Sequence, residues 1–255
     1  MIESFARAKF DLYSRGSRFH CDEACPRYGC RGSLVVSAVL FEVLTQARVF
    51  GRQAADFFPF AYRLGAIPLD EELSRVRIRI TLRKPCVFLE DGRNCSMYRV
   101  RPAACALFPE HLALLPEARR KEYIENNGMG HYPCVADPGL GLSAEREEAI
   151  RRLWRMHQLE VLATEICLFG IAGFSVDLRE DVIVLFDRER PRPQASPPGL
   201  RIPYGKIEEV MERHGERTGL LEKIWEKLAS LEKETDMQSF FSALSIAEVL
   251  TEASF

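Results

Sequence analysis

Seven cysteines within the first 134 residues are grouped as simple packing would not require. The first group runs Cys21-x3-Cys25-x4-Cys30, the second Cys86-x8-Cys95-x9-Cys105, and Cys134 closes the phrase His131-Tyr132-Pro133-Cys134. Their surroundings are rich in turn formers and poor in apolar side chains, so burial alone gives these loops little order. Thiolates ligate soft and borderline metals, and loop thiols can converge on one ion with little backbone strain. The energy of binding then serves as folding energy for the loops. The expected ligands are Cys21, Cys25, Cys30, Cys86, Cys95, Cys105 and Cys134. The eighth cysteine, Cys167, lies between Ile166 and Leu168 in an apolar helical run. It reads as a buried thiol acting as a small hydrophobe.

The spacing matches neither the paired C-x2-C knuckles of zinc ribbons nor the C-x2-C-x2-C run of bacterial ferredoxins. It implies a metal without selecting one. Seven loop thiols exceed the four that a tetrahedral zinc uses. Pro102 at a helix start places Cys105 in the first turn, where unpaired N–H groups and the helix dipole favour a thiolate. Arg101, just before it, is a candidate hydrogen-bond donor to a cluster sulfur. These features point to an iron–sulfur cluster, with zinc as the alternative. His20 and His131 lie close to cysteines and are secondary ligand candidates, whereas His157 and His214 fall on helical patterns and read as packing residues. The sequence contains no G-x-S-x-G, H-E-x-x-H or P-loop signature, and no catalytic residue is assigned.

The elements that must position these loops follow from periodicity. Residues 2–13 space Ile2, Phe5, Ala6, Lys9 and Tyr13 as a short amphipathic helix. Residues 35–50 predict a buried helix with a short strand at its start, and 52–65 a second helical stretch interrupted at Pro59. Residues 75–82, RVRIRITL, alternate basic and apolar side chains, which predicts a strand with one wet basic face. Asp91-Gly92 marks a turn. A short helix is expected after Pro102, and residues 112–142 read as irregular. Ser143 caps a long helix that carries Ile150, Leu153, Trp154, His157, Val161 and Leu168 on one face. Residues 175–187 predict a strand or hairpin, followed by a Pro-rich stretch and two helical segments over 205–232 and 238–250. The fold class expected is mainly α with a few short strands (α+β), its cysteine-rich loops organised by metal. Residues 1–138 form the metal-binding part and 139–255 a mainly helical region.

Composition fits an ordinary globular protein: 255 residues, 47% hydrophobic, 28% charged, formal net charge −2. That charge gives no global field toward nucleic acid or an anionic membrane. The basic strand residues lack the interleaved aromatics of a stacking platform. No apolar run reaches the roughly 20 residues a bilayer needs. A reducing cytoplasm is the expected compartment, where clustered cysteines signal metal rather than disulfides. The partner expected is another protein.

The phrase from Cys86 to Pro109 resembles the YkgJ-type cysteine-cluster family of zinc- or iron-chelating domains. Cys86, Phe88, Leu89, Cys95, Tyr98, Arg101, Pro102, Cys105 and Pro109 carry the match. Phe19, Cys21, Cys25 and Cys30 resemble the family's opening, and Cys134 its late cysteine. The family's closing cysteine doublet stands here as Gly29-Cys30. The resemblance spans about residues 17–136 and implies a metal or iron–sulfur centre, with a redox or accessory role in a modification pathway. A zinc-stabilised interaction module is the other expectation.

Overall fold

The structure is a computed structural model that describes residues 2–15, 25–32, 34–69, 74–136, 142–169, 174–177 and 182–185. Cys21, His20, His214, the Pro-rich stretch and the two expected C-terminal helical segments lie outside the described residues. No helix among the described residues is long and apolar enough to cross a membrane.

The chain opens with α1 (Ile2–Ser14) and the single turn α2 (Tyr28–Arg31). Strand β1 (Ser37–Ala38) then leads into α3 (Leu40–Val49). Helix α4 (Ala54–Ala61) continues through Pro59 and passes directly into β2 (Tyr62–Pro68). The helical stretch expected to 65 therefore ends at 61. Its last four residues are strand because Tyr62, Leu64 and Gly65 pair along β3 (Arg75–Leu82), a tertiary contact that a short apolar run does not reveal.

β3 is the centre of an antiparallel sheet. β2 pairs along its whole length from Tyr62↔Leu82 to Pro68↔Val76. β1 takes the C-terminal half of its other edge at Ser37↔Thr81, and β6 (Phe174–Asp177) takes the N-terminal half at Val76↔Val176. β7 (Val182–Leu185) completes a hairpin with β6. Gly65 faces Thr81 so closely that a Cβ would stand 2.9 Å from the Thr81 methyl. The alternation expected for β3 is present: Val76, Ile78 and Ile80 are buried between half-buried arginines. The basic face is not simply wet, however. Glu165 of α8 (Ala144–Phe169) is buried against it and pairs with Arg77 at 2.5 Å and with Arg79.

The remaining elements are the small hairpin β4 (Leu89–Glu90) and β5 (Asn94–Cys95), then α5 (Ala103–Leu107), α6 (Glu117–Asn126) and α7 (Pro133–Ala136). α6 replaces the expected irregularity. It has no buried residue and so no apolar period to read; Arg119–Glu122 and Lys121–Glu125 pairs run along its surface. Ser143 caps α8 as expected, its Oγ accepting the Arg146 N–H at 3.1 Å. The largest core joins α3, α4 and the sheet to Phe88 and Met97. A second packs α1, α5 and α8 together through Leu12, Ala106, Leu107, Ile150 and Leu153.

Candidate metal centre

The two cysteine loops meet through their backbones. Asp91 and Gly92 both take positive φ, 48° and 69°, and close the β4–β5 hairpin so that Cys95 stands opposite Leu89. A side chain at Gly92 would meet only the end of the Arg31 side chain, which can swing aside, so it is the positive φ that calls for glycine. Arg27 Nε donates to the Arg93 carbonyl at 3.1 Å, and the Cys86 N–H donates to the Cys30 carbonyl at 2.9 Å. Lys84 Nζ donates to the Gly29 carbonyl. Cys30 is thereby tied to the segment that carries Cys86, and Cys95 lies on the hairpin docked beside it.

Cys105 arrives from α5. This helix has five residues, begins at Ala103 and follows Pro102, which offers no side-chain cap. An isolated helix of that length is unstable, so its position depends on what grips its ends. Two buried side chains of α3, one turn apart, do so. Glu42 Oε1 accepts the Ala103 N–H at 2.7 Å, and Gln46 Nε2 donates to the Val100 carbonyl at 2.7 Å. Tyr62 Oη donates to Gln46 in turn.

The thiols of Cys30, Cys86, Cys95 and Cys105 are near enough to act on one another electrostatically. Burial pushes the Cys95 thiol up to about 11, with Cys86 and Cys30 adding to the rise, while the Met97 N–H and Arg101 oppose it. Burial pushes Cys105 up to about 12; Cys30, Cys86 and Cys95 add, and Lys84 opposes. Crowded, part-buried thiols keep their protons when they face only each other. A metal ion reverses that preference, since the thiolate is the ligand. The donor set therefore suits a zinc or iron centre. The Arg101 guanidinium lies over the Tyr98 ring at 4.2 Å, with its Nε buried and without a hydrogen-bond partner. An orphaned donor beside Cys95 suits a sulfur-rich anionic centre.

The other expected ligands divide. Cys25 and Cys134 sit with Cys30 around Tyr132, whose hydroxyl is pushed up chiefly by burial and further by those three thiols. His131 packs edge-on against Tyr28 and Tyr132, at 4.7 and 4.8 Å. Cys167 packs against the main core from α8.

His157 does more than the packing expected of it: its ring contacts Trp154 and also joins a polar cluster. Its ring, Glu42 and Glu160 place ligating atoms within 4.8 Å of one another, the one such group of three among the described residues. Lys9 Nζ stands between the carboxylates, 2.9 Å from Glu42 and 2.5 Å from Glu160. The sequence held a sign of this cluster. Lys9 lies on the apolar stripe of α1 and Glu42 inside an otherwise apolar helix, and charges in such places need buried partners.

A small α+β framework that brings thiols from separate loops together is what a metal-chelating domain requires. Residues 20–130 match the profile of the CxxCxxCC family, described as a "Putative zinc- or iron-chelating domain", in agreement with the resemblance of the Cys86–Pro109 phrase. No curated protein and no solved structure matches the chain.

Proposed function

We propose that the domain holds an iron–sulfur cluster on Cys30, Cys86, Cys95 and Cys105, with Arg101 donating to its sulfurs, and serves a redox or accessory role toward a protein partner in a modification pathway. Cys21, Cys25 and Cys134 supply the further thiols for a second or exchangeable ligand. The observation that carries the reading is the convergence of the thiols. Cys30, Cys86 and Cys95 all act on Cys105, and Cys25 and Cys134 stand with Cys30 around Tyr132. That is more than the four thiolates a tetrahedral zinc uses.

The test is metal and sulfide analysis of the full chain, expressed with iron supplied and purified without oxygen. The expected preparation is brown, with iron and acid-labile sulfide in equal amounts. Replacement of Cys95 or Cys105 by Ser abolishes the colour. A colourless preparation with stoichiometric zinc and no sulfide refutes the cluster and leaves a zinc-ordered interaction module, for which four thiols are the full complement.

A further inference from the structure

We propose that Glu42 is a positioning residue for the thiol site, and that Lys9 makes this positioning depend on the docking of α1. The inference rests on Cys105 being a metal ligand and adds a control acting from outside the thiol loops.

The argument begins with the short helix α5. Cys105 lies in its first turn, with its own N–H bonded to the Pro102 carbonyl at 2.9 Å. The Ala103 N–H has no partner within such a helix, and Pro102 cannot cap it. The Glu42 carboxylate supplies the acceptor from another element, 61 residues away in sequence. Its other oxygen accepts the Val39 N–H at 3.1 Å and so also fixes the start of α3. One buried carboxylate thus sets the relation between α3 and the helix that carries Cys105. Gln46 pins the same turn by a neutral contact, leaving Glu42 as its ionic tether.

A buried carboxylate needs a counter-charge. Lys9 provides it, fully inside the protein and shared with Glu160 of α8. Lys9 belongs to α1, which packs on α8 and is followed in sequence by Cys21 and Cys25. When α1 is docked, Glu42 is neutralised in place and holds Ala103. When α1 leaves, Glu42 loses that cation and is left beside Glu160 and the His157 ring; turning toward water to keep its charge releases the turn that aims Cys105. Metal occupancy and α1 docking are therefore linked, and the link runs both ways.

The test uses cobalt(II) as the probe, titrated anaerobically into the full chain and read by its thiolate-to-cobalt charge-transfer absorption. Four variants are compared: Glu42→Ala, Glu42→Gln, Lys9→Met and Ile78→Ala. The last is a core truncation in β3 that lowers stability without touching the relay. Loss of an orienting partner of this kind weakens metal binding by about tenfold or more. Glu42→Ala and Lys9→Met are expected to show that loss together with altered charge-transfer bands. Glu42→Gln, which keeps an acceptor oxygen for Ala103, is expected to recover the band positions. Ile78→Ala is expected to bind cobalt as the parent chain does. If Glu42→Ala does not fold, Glu42→Gln and Lys9→Met carry the comparison. Parent affinity and bands in Lys9→Met, or a loss in Ile78→Ala equal to that in the relay variants, overturn the proposal. A parent chain that binds no cobalt overturns the thiol-site reading itself.

Discussion

Arg146 offers the sharpest test of how the framework is fastened. Its side chain is 1% exposed. Nε and Nη2 both donate to Glu110 Oε2, at 3.0 and 2.5 Å. Nη1 donates to the carbonyls of Leu12, Tyr13 and Arg15, at 3.3, 3.1 and 3.2 Å. Those carbonyls end α1 and have no partner within the helix, so one guanidinium neutralises a buried acid and caps a helix at once. Arg146→Met takes the guanidinium from the buried Glu110; losing one partner of a buried pair costs about 3–5 kcal/mol. The bare carbonyls add about 1 kcal/mol or more. Against a total of about 5–15 kcal/mol for a typical domain, that is a large share. Arg146→Lys keeps the charge but not the fork and is expected to lose about half as much. Adding Glu110→Leu to Arg146→Met removes that acid and is expected to restore most of the loss, with the uncapped α1 accounting for the remainder. Urea unfolding of the metal-free chain, followed by far-ultraviolet circular dichroism, gives all four values. A loss below about 1 kcal/mol in Arg146→Met, or a double variant no more stable than the single one, would refute this account.

Three further outcomes follow from the same geometry. Gly29→Cys restores the doublet beside Cys30; a Cβ there meets only the Leu34 methyl at 4.0 Å. Stability should stay within about 1 kcal/mol of the parent, and metal should resist a chelator longer, so collapse of the fold or unchanged retention would count against the site as drawn. Burial lowers the pKa of His111 below 6.5, with the Leu107 carbonyl opposing. The neutral ring is thus the folded form, and its contribution is complete above pH 6.5 and lost as pH falls through the lower folded value. In urea titrations between pH 7.5 and 5, His111→Gln should show a flatter slope than the parent; an equal slope would be contrary. Cys167→Ala should cost about 1 kcal/mol and leave metal content unchanged, and lost metal would place α8 in the site.

Which parts were legible in the sequence depends on how local the cause is. The Asp91-Gly92 turn, the Ser143 cap, the alternation of β3 and the short strand before α3 all arise from neighbours within a few residues, and each is present. The thiol loops were legible from their cysteines and turn formers, although Phe88 and Met97 also anchor the second loop in the main core, which its turn-rich sequence does not reveal. β2 was missed because its apolar run is equally good on a helix, and only β3 decides the matter. α6 was missed because it is held by surface charge pairs and tertiary placement, not by an apolar stripe. Cys30, Cys86, Cys95 and Cys105 were named from spacing. Their neighbourhood comes from the Arg27 and Lys84 side chains donating to backbone carbonyls and from the Cys86 N–H bonded to the Cys30 carbonyl, which spacing does not contain.

The buried polar groups explain how the thiol loops are aimed as well as held. Phe88 and Met97 anchor the second loop in the main core, but apolar contacts do not fix the direction of a thiol. Directional contacts from rigid elements do that. Glu42 and Gln46 grip the turn before Cys105 from inside α3, and Lys84 and Arg27 grip the loops around Cys30 and Cys95 from their edges. Each contact depends on a donor and acceptor meeting within about 3 Å. A small displacement of the element behind it therefore breaks the contact, where an apolar contact would merely slide. The carboxylate at the centre of this arrangement is neutralised by a lysine from α1, and α1 itself is capped by Arg146. The N-terminal helix thus enters the energetics of the thiol site twice, once through Lys9 and once through its own end. Removing either contact should loosen Cys105 even though neither residue touches a sulfur.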